Sequence, residues 1–275
     1  MNFREKTVVI TGGSEGVGAS AARRFAEEGA NLMLVARGRE KLDSMAAELA
    51  GSTKVEVFSL DVSDAEGCAD LLKRTDAVFG RIDVLVNNAG YHARGRVDAV
   101  DPADIGKMID VNLRAPAVLS RLALPYLRAA GGGAIINVAS LAGRTPVPGS
   151  ATYSATKAGL RALTYALAEE LSGEKIKVAV VSPGPIDTGF IMSDIDNVSD
   201  LTFSQPISTA EEVAQAILDL CANDVLEQSM PALSGVLTNA TYMMPWLGRL
   251  ARPLLERKGQ RVKQRLKASA NSPEG

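Results

Sequence analysis

Cysteine is scarce in this chain: Cys68 and Cys221 are the only two. Two thiols cannot build a disulfide framework, and their spacing fits no zinc site, so no metal is expected. Both fall in helix-like stretches and read as free core thiols, which points to a reducing compartment. Long apolar runs are also missing. Nothing approaches the ~18 uninterrupted apolar residues of a spanning helix, and the opening Met1-Asn2-Phe3-Arg4-Glu5-Lys6 has no apolar leader segment. A cytoplasmic protein is expected, one that at most lies peripherally on a membrane surface. Neither sign of charge is in excess. Thirty Lys+Arg against 32 Asp+Glu leave a net charge of -2, so no whole-molecule field favours nucleic acid. No linker, repeat or low-complexity segment precedes the last fifty residues. The 275 residues therefore read as one domain over 1–230 with a C-terminal extension over 231–275.

What the chain does have is alternation. Short runs rich in Val, Ile and Leu predict strands at 7–11, 31–36, 54–60, 82–88, 133–140 and 177–183. Between them, helices are predicted over 16–28, 39–50, 64–79, 103–128 and 150–171. Continuous apolar strands are buried on both faces of a parallel sheet. Repeated βα units make this an α/β chain with a doubly wound, mainly parallel sheet of the Rossmann type. In such sheets ligands bind outside the carboxyl ends of the strands. Those ends carry the glycine-rich "TGGSEGVG" at 11–18, Arg37, Asp61, "NNAG" at 87–90, Ser140 and "PGPIDT" at 183–188. Six polar or glycine-rich clusters at one edge of a sheet mark a binding cleft.

Thr11-Gly12-x-x-x-Gly16-x-Gly18, Asn87-Asn88-Ala89-Gly90, Asn112, Ser140, Tyr153-x-x-x-Lys157 and Pro183-Gly184 occur in that order. The set resembles the short-chain dehydrogenase/reductase family over residues 5 to about 222. Physical chemistry supports the same reading. A spacing of four places Tyr153 and Lys157 one turn apart on one helix face. A free tyrosine titrates near 10, and a neighbouring ammonium favours its phenolate. Tyr153 can then exchange a proton with a substrate hydroxyl or carbonyl. Ser140 ends the fifth predicted strand, where its hydroxyl can hold the substrate oxygen. The resemblance implies that Ser140 orients the carbonyl, Lys157 also binds the nicotinamide ribose, and Asn112 completes a proton relay through water.

The glycine loop reads as a dinucleotide cradle. Gly12 makes the turn, Gly16 lets backbone amides reach the pyrophosphate, and Gly18 permits close helix–sheet packing. Ser14 adds a hydroxyl, and Glu15 is expected to point outward, offering only its backbone N–H. Ala36 and Arg37 stand where an acidic residue would select NAD. Arg37 offers a charged fork for a 2′-phosphate and Lys41 a second charge, so the expected cofactor is NADP(H). By resemblance Asp61 and Val62 line the adenine, while Val17, Asn88, Ala89, Gly90, Pro183, Gly184, Ile186 and Thr188 complete the cofactor set. Reduction of a carbonyl is the expected direction.

The family often ends in a short strand with a glycine-rich close, used in many relatives for a tetramer interface. No segment here aligns with it. A homodimer through the helices at 103–128 and 150–171 is expected instead. Residues 245–268 look amphipathic: Leu247, Leu250, Leu254 and Leu255 follow helical spacing, and Pro253 is placed to open a second short helix. From Tyr242 onward eight basic residues face only Glu256 and Glu274. Such a tail can meet an anionic membrane surface or pack on its own domain. It is loosely similar to the tails of relatives that reduce lipid ketones, including 3-ketodihydrosphingosine reductases. The expected substrate is a hydrophobic ketone or its alcohol. His92, the single histidine, is expected to be a solvated loop residue. Two other readings stand beside the reductase. One is a non-catalytic NADP sensor, which would be expected to lose Tyr153 or Lys157. The other is a lipid-surface binding module dominated by the tail.

Overall fold

Apolar β-branched runs become strands where both faces can be covered. The computed structural model describes residues 1–145 and 147–270, and it places seven strands in one parallel sheet. They are β1 (Thr7–Thr11), β2 (Asn31–Ala36), β3 (Val55–Ser59), β4 (Val84–Asn87), β5 (Gly133–Val138), β6 (Ile176–Pro183) and β7 (Glu227–Met230). Their order is β3-β2-β1-β4-β5-β6-β7, and every pairing is parallel. The order reverses between β1 and β4, so the crevice at their carboxyl ends is the switch point of a doubly wound sheet.

The helices are α1 (Gly16–Glu27), α2 (Arg39–Leu49), α3 (Ala65–Phe79), α4 (Pro102–Ile109), α5 (Ala115–Ala129), α6 (Ala151–Glu170), α7 (Gly189–Met192), α8 (Ala210–Ala222), α9 (Ala232–Met243) and α10 (Pro245–Ala270). Alternation along each strand splits the core in two. Val8 and Ile10 pack with Phe25, Leu42 and Ile217 beneath α1, α2 and α8. Val9 faces the other way, with Leu72, Leu119 and Leu127 beneath α3 and α5. Cys68 and Cys221 are free and buried, and burial pushes their thiols up to about 11 and about 12.

Three expectations change. The helix predicted over 103–128 is α4 and α5 joined by a π-helical stretch, Asp110–Arg114. A seventh strand exists where none was read. β7 is short, polar and half-buried at the sheet edge, so it lacks the apolar run by which the others were found. The helix expected to open at Pro253 is instead continuous with the preceding turns, and Pro253 lies inside α10. An exposed proline removes one N–H without ending a helix whose neighbouring turns are held elsewhere. Glu274 and the rest of 271–275 lie outside the described residues.

Candidate active site

The glycine loop leaves β1 and is locked from a distance. Gly12 and Gly16 take left-handed φ values of 66° and 55°, which side chains disfavour. A Cβ on Gly18 would stand 2.0 Å from the Gly12 carbonyl oxygen, so the first turn of α1 lies directly against the loop. The Thr11 hydroxyl accepts the N–H groups of Asn88 and Ala89, both at 3.0 Å, and donates to the Val86 carbonyl at 3.2 Å. The Asn88 amide donates to the carbonyls of Thr11 at 2.9 Å and Gly12 at 3.2 Å. Two loops far apart in sequence thus form one rigid rim.

Across the crevice, α6 presents Tyr153 and Lys157. The Lys157 ammonium donates to the Val138 carbonyl at 2.8 Å and lies 5.8 Å from the Tyr153 ring centroid. Burial pushes Lys157 down to about 8. Burial also pushes the Tyr153 phenol up to about 12, opposed by the Ser140 hydroxyl and the Arg94 charge. The phenol is therefore protonated at neutral pH, the form required of an acid. Ser140 lies two residues past the end of β5 and caps the turn Leu141–Arg144, its hydroxyl accepting the Ala142 N–H at 3.1 Å.

Asn112 sits in the π-helical stretch, fully buried. Its amide exchanges two hydrogen bonds with the Tyr91 backbone, at 2.7 and 2.8 Å, and donates to Thr156 at 3.2 Å. Thr156 in turn donates to the Tyr153 carbonyl at 2.8 Å. Asn112 thus joins the chain after "NNAG" to the first turns of α6. An extra residue in a helical turn is a frequent way of aiming one side chain inward.

At the opposite end, Arg37 is exposed and its guanidinium has no hydrogen-bond partner among the described residues. Lys41 differs: its ammonium meets the Glu15 carboxylate at 2.6 Å. Glu15 does point outward, and it occupies the cation that was expected to assist Arg37. Burial acts to raise the Asp61 carboxyl. The Ser63 hydrogen bonds and the charges of Arg37 and Lys107 outweigh it and hold Asp61 below its usual range.

A single cavity of about 1570 Å³ connects these groups. Gly12, Ser14, Glu15, Gly16, Val17, Arg37, Lys41, Asp61, Val62, Asn88, Ala89, Gly90, Ser140, Tyr153, Lys157, Pro183, Gly184, Ile186 and Thr188 all line it. Asn112 stands behind the wall. His92 is not the solvated loop residue that was expected. Its ring stacks on Tyr153 with centroids 4.1 Å apart and planes 12° from parallel, because the chain after "NNAG" folds against α6. Burial and the Arg94 charge push it down to about 3, so it is neutral.

The sequence marks the loop over 190–208 as the place where substrate shape is set, but carries no readable code for the partners that build it. Arg94 donates to Asp194 at 3.0 Å and to the Phe190 carbonyl at 2.8 Å, fastening the 190–208 loop beside Tyr153. α10 packs on the same loop. Lys263 donates to the Val198 carbonyl at 2.7 Å and pairs with Asp200 at 3.4 Å, and Lys267 pairs with Asp196. The expected leucine stripe is divided: Leu255 lines the cavity, whereas Leu250 and Leu254 face solvent. No described helix is long and apolar enough to cross a membrane.

Comparison with known proteins agrees with this architecture. The family model described as short chain dehydrogenase matches residues 6–198. An uncharacterized oxidoreductase of Staphylococcus epidermidis is 37% identical over 185 residues, 67% of this chain and 80% of the relative. A 3-oxoacyl-(acyl-carrier-protein) reductase of Thermotoga maritima is 33% identical over 229 residues, 82% of this chain and 93% of the relative.

Proposed function

The chain belongs to the short-chain dehydrogenase family, and we propose that it is an NADP(H)-dependent reductase that turns a ketone on an apolar, lipid-like molecule into an alcohol. The observation that carries this reading is the convergence of Ser140, Tyr153 and Lys157 on the cavity that also holds the glycine loop. The residues present fit a dinucleotide. Gly16 is bare of a side chain at the mouth of α1, with backbone N–H groups and a helix N-terminus available to a diphosphate. Arg37 would hold the 2′-phosphate and Lys157 the ribose of the nicotinamide. When bound, that cofactor supplies the hydride.

The chain supplies position and the proton. The Ser140 hydroxyl donates to the substrate carbonyl oxygen and holds it beside Tyr153. The Tyr153 O–H bond breaks and its proton passes to that oxygen, completing the alcohol. The Lys157 charge stabilises the phenolate left behind. Asn112 fixes the Tyr91 backbone and, through Thr156, the turn that carries Tyr153. His92 stacks on the phenol as a neutral plate and takes no proton.

Val147, Phe190, Ile191, Leu201, Leu237 and Leu255 line the cavity beyond Tyr153, which favours an apolar substrate. The Thermotoga relative is named for reducing a 3-oxoacyl group, a ketone on an acyl chain. In the same reading the tail makes peripheral contact with a lipid surface, and the chain forms a homodimer through α4–α5 and α6.

The test is loss of reduced-nicotinamide absorbance with a panel of short and long ketones. NADPH is expected to serve far better than NADH, and long ketones better than short ones. Arg37→Ala is expected to weaken NADPH by about 10-fold or more with little change for NADH, since a charge-assisted phosphate contact contributes roughly 1.5–3 kcal/mol. Equal weakening of both cofactors refutes the role of Arg37. NADPH binding without turnover of any ketone would favour the sensor.

A further inference from the structure

We propose that the cavity has a second polar end, where Arg249 on α10 receives an anionic group carried at the far end of an elongated apolar substrate. This rests on the reading of the cavity as a ketone site and names the chemical class of its substrate: an anionic amphiphile, bearing a carboxylate or phosphate remote from the carbonyl.

The first observation is size. At about 1570 Å³ the cavity exceeds the ~300–1,000 Å³ of an ordinary ligand site, leaving room for more than one bound molecule. The second is the sign of its charges. The lining carboxylates, Glu15 and Asp61, both lie at the glycine-loop end. The lining residues contributed by the 190–208 loop, α9 and α10 include no carboxylate. The charges at that end are Arg94, Arg249 and Arg252.

The third observation is how these arginines are partnered. Arg94 is bound by Asp194 and the Phe190 carbonyl, and Arg252 by Glu256 at 2.7 Å. The remaining acids of the loop are taken too, Asp196 by Lys267 and Asp200 by Lys263. The Arg249 side chain has neither an ion pair nor a hydrogen bond among the described residues. The helix that carries it is held in place. A Cβ on Gly259 would stand 1.7 Å from the Asp200 carbonyl oxygen, so α10 is pressed backbone-to-backbone on the 190–208 loop. A planar fork without a partner, on a fixed helix at the rim of an apolar wall, suits an oxyanion.

The test compares a homologous series of long-chain ketones ending in a carboxylate, the same ketones as methyl esters, and the corresponding phosphate monoesters. The native enzyme is expected to prefer an anionic form over its ester by about tenfold or more in kcat/KM, carried by KM, the scale of one charge-assisted hydrogen bond. The carboxylate and phosphate arms identify which oxyanion is taken. Arg249→Gln should abolish the preference while leaving turnover of a short neutral ketone unchanged, and Arg249→Lys should restore part of it. Trp246, the single tryptophan, lies one turn away on the same helix. Its fluorescence should report binding of the non-reducible saturated carboxylate, with the same loss in Arg249→Gln. Equal use of acid and ester by the native enzyme overturns the inference, as does a preference that survives Arg249→Gln. Loss of anionic-vesicle binding in Arg249→Gln with the preference intact would also overturn it, assigning the arginine to a membrane. If no ketone is reduced, the catalytic reading falls and the Trp246 titration alone decides the role of Arg249.

Discussion

At Tyr153 two effects oppose each other: burial holds the phenol protonated up to about 12, while the Ser140 hydroxyl and the Arg94 charge pull the other way. A protonated phenol is a proton store that becomes useful only when the product side of the transfer is stabilised. The buried Lys157 ammonium, 5.8 Å from the ring, is the charge available for that. Tyr153→Phe keeps the ring, its stack on His92 and the packing of α6, and removes the hydroxyl that carries the proton. Turnover should fall by about 10²–10⁴-fold, the range general acid catalysis supplies, while NADPH binding, followed by its fluorescence, stays within about twofold. Retention of more than about a tenth of native turnover would assign the proton to another group.

Among the elements, β7 acts as a clamp through one side chain. Glu227 accepts from Arg161 at 2.8 Å, Tyr165 at 2.7 Å and Ser182 at 2.7 Å, and it pairs with Arg144. Arg144 also reaches Ser229 at 2.7 Å. One carboxylate therefore ties β6, β7, α6 and the turn that follows Ser140, the elements that set Ser140 against Tyr153. Burial acts to raise the Glu227 carboxyl, but these partners together hold it below its usual range. Its stabilising contribution is thus fully present above the unfolded carboxyl value of 4.5 and is lost as pH falls through the lower folded value. Glu227→Gln leaves two arginines without their counter-charge. A loss of about 3–5 kcal/mol at neutral pH is expected in denaturant unfolding. The difference from native should shrink as pH drops below 4.5. A difference independent of pH would show that the charge is not what stabilises the clamp.

For the whole molecule, the C-terminal helices do two things on opposite faces. Inward, they close the cavity. Outward, they expose Trp246, Leu250 and Leu254 at 60%, 73% and 70%, with Val236 and Met243 beside them. Exposed apolar groups on a helix that also carries the exposed Arg257 and Lys258 have the polarity and sign that the proposed contact with an anionic lipid surface would need. The full chain should sediment with vesicles rich in anionic lipid and much less with neutral ones, and high salt should weaken binding. Replacing Trp246, Leu250 and Leu254 together by serine should weaken partition by about two orders of magnitude, taking roughly 1 kcal/mol for each half-buried side chain. The folded core should be undisturbed, because these side chains face solvent. A native chain that stays in the supernatant in every case would remove the lipid surface from the account.

The sequence by itself determined what is local or periodic. Continuous apolar runs separated by helical stretches could only become a parallel sheet covered on both faces. Glycines at 12, 16 and 18 prescribed a turn open to a phosphate, and Tyr153 and Lys157 share a helix face because 3.6 residues make a turn. Tertiary structure alone decided what depends on partners far along the chain. Asn88 reaches the loop at Thr11 across 77 positions, and Arg94 reaches Asp194 across 100. These meetings follow from the order of strands in the sheet, which no local pattern encodes. β7 escaped notice for a related reason: a short edge strand is specified by its neighbour β6 more than by its own polar side chains. His92 and the leucines of α10 share that dependence. A ring or an aliphatic chain is buried or bare according to what the fold brings against it, and for His92 that is the ring of Tyr153.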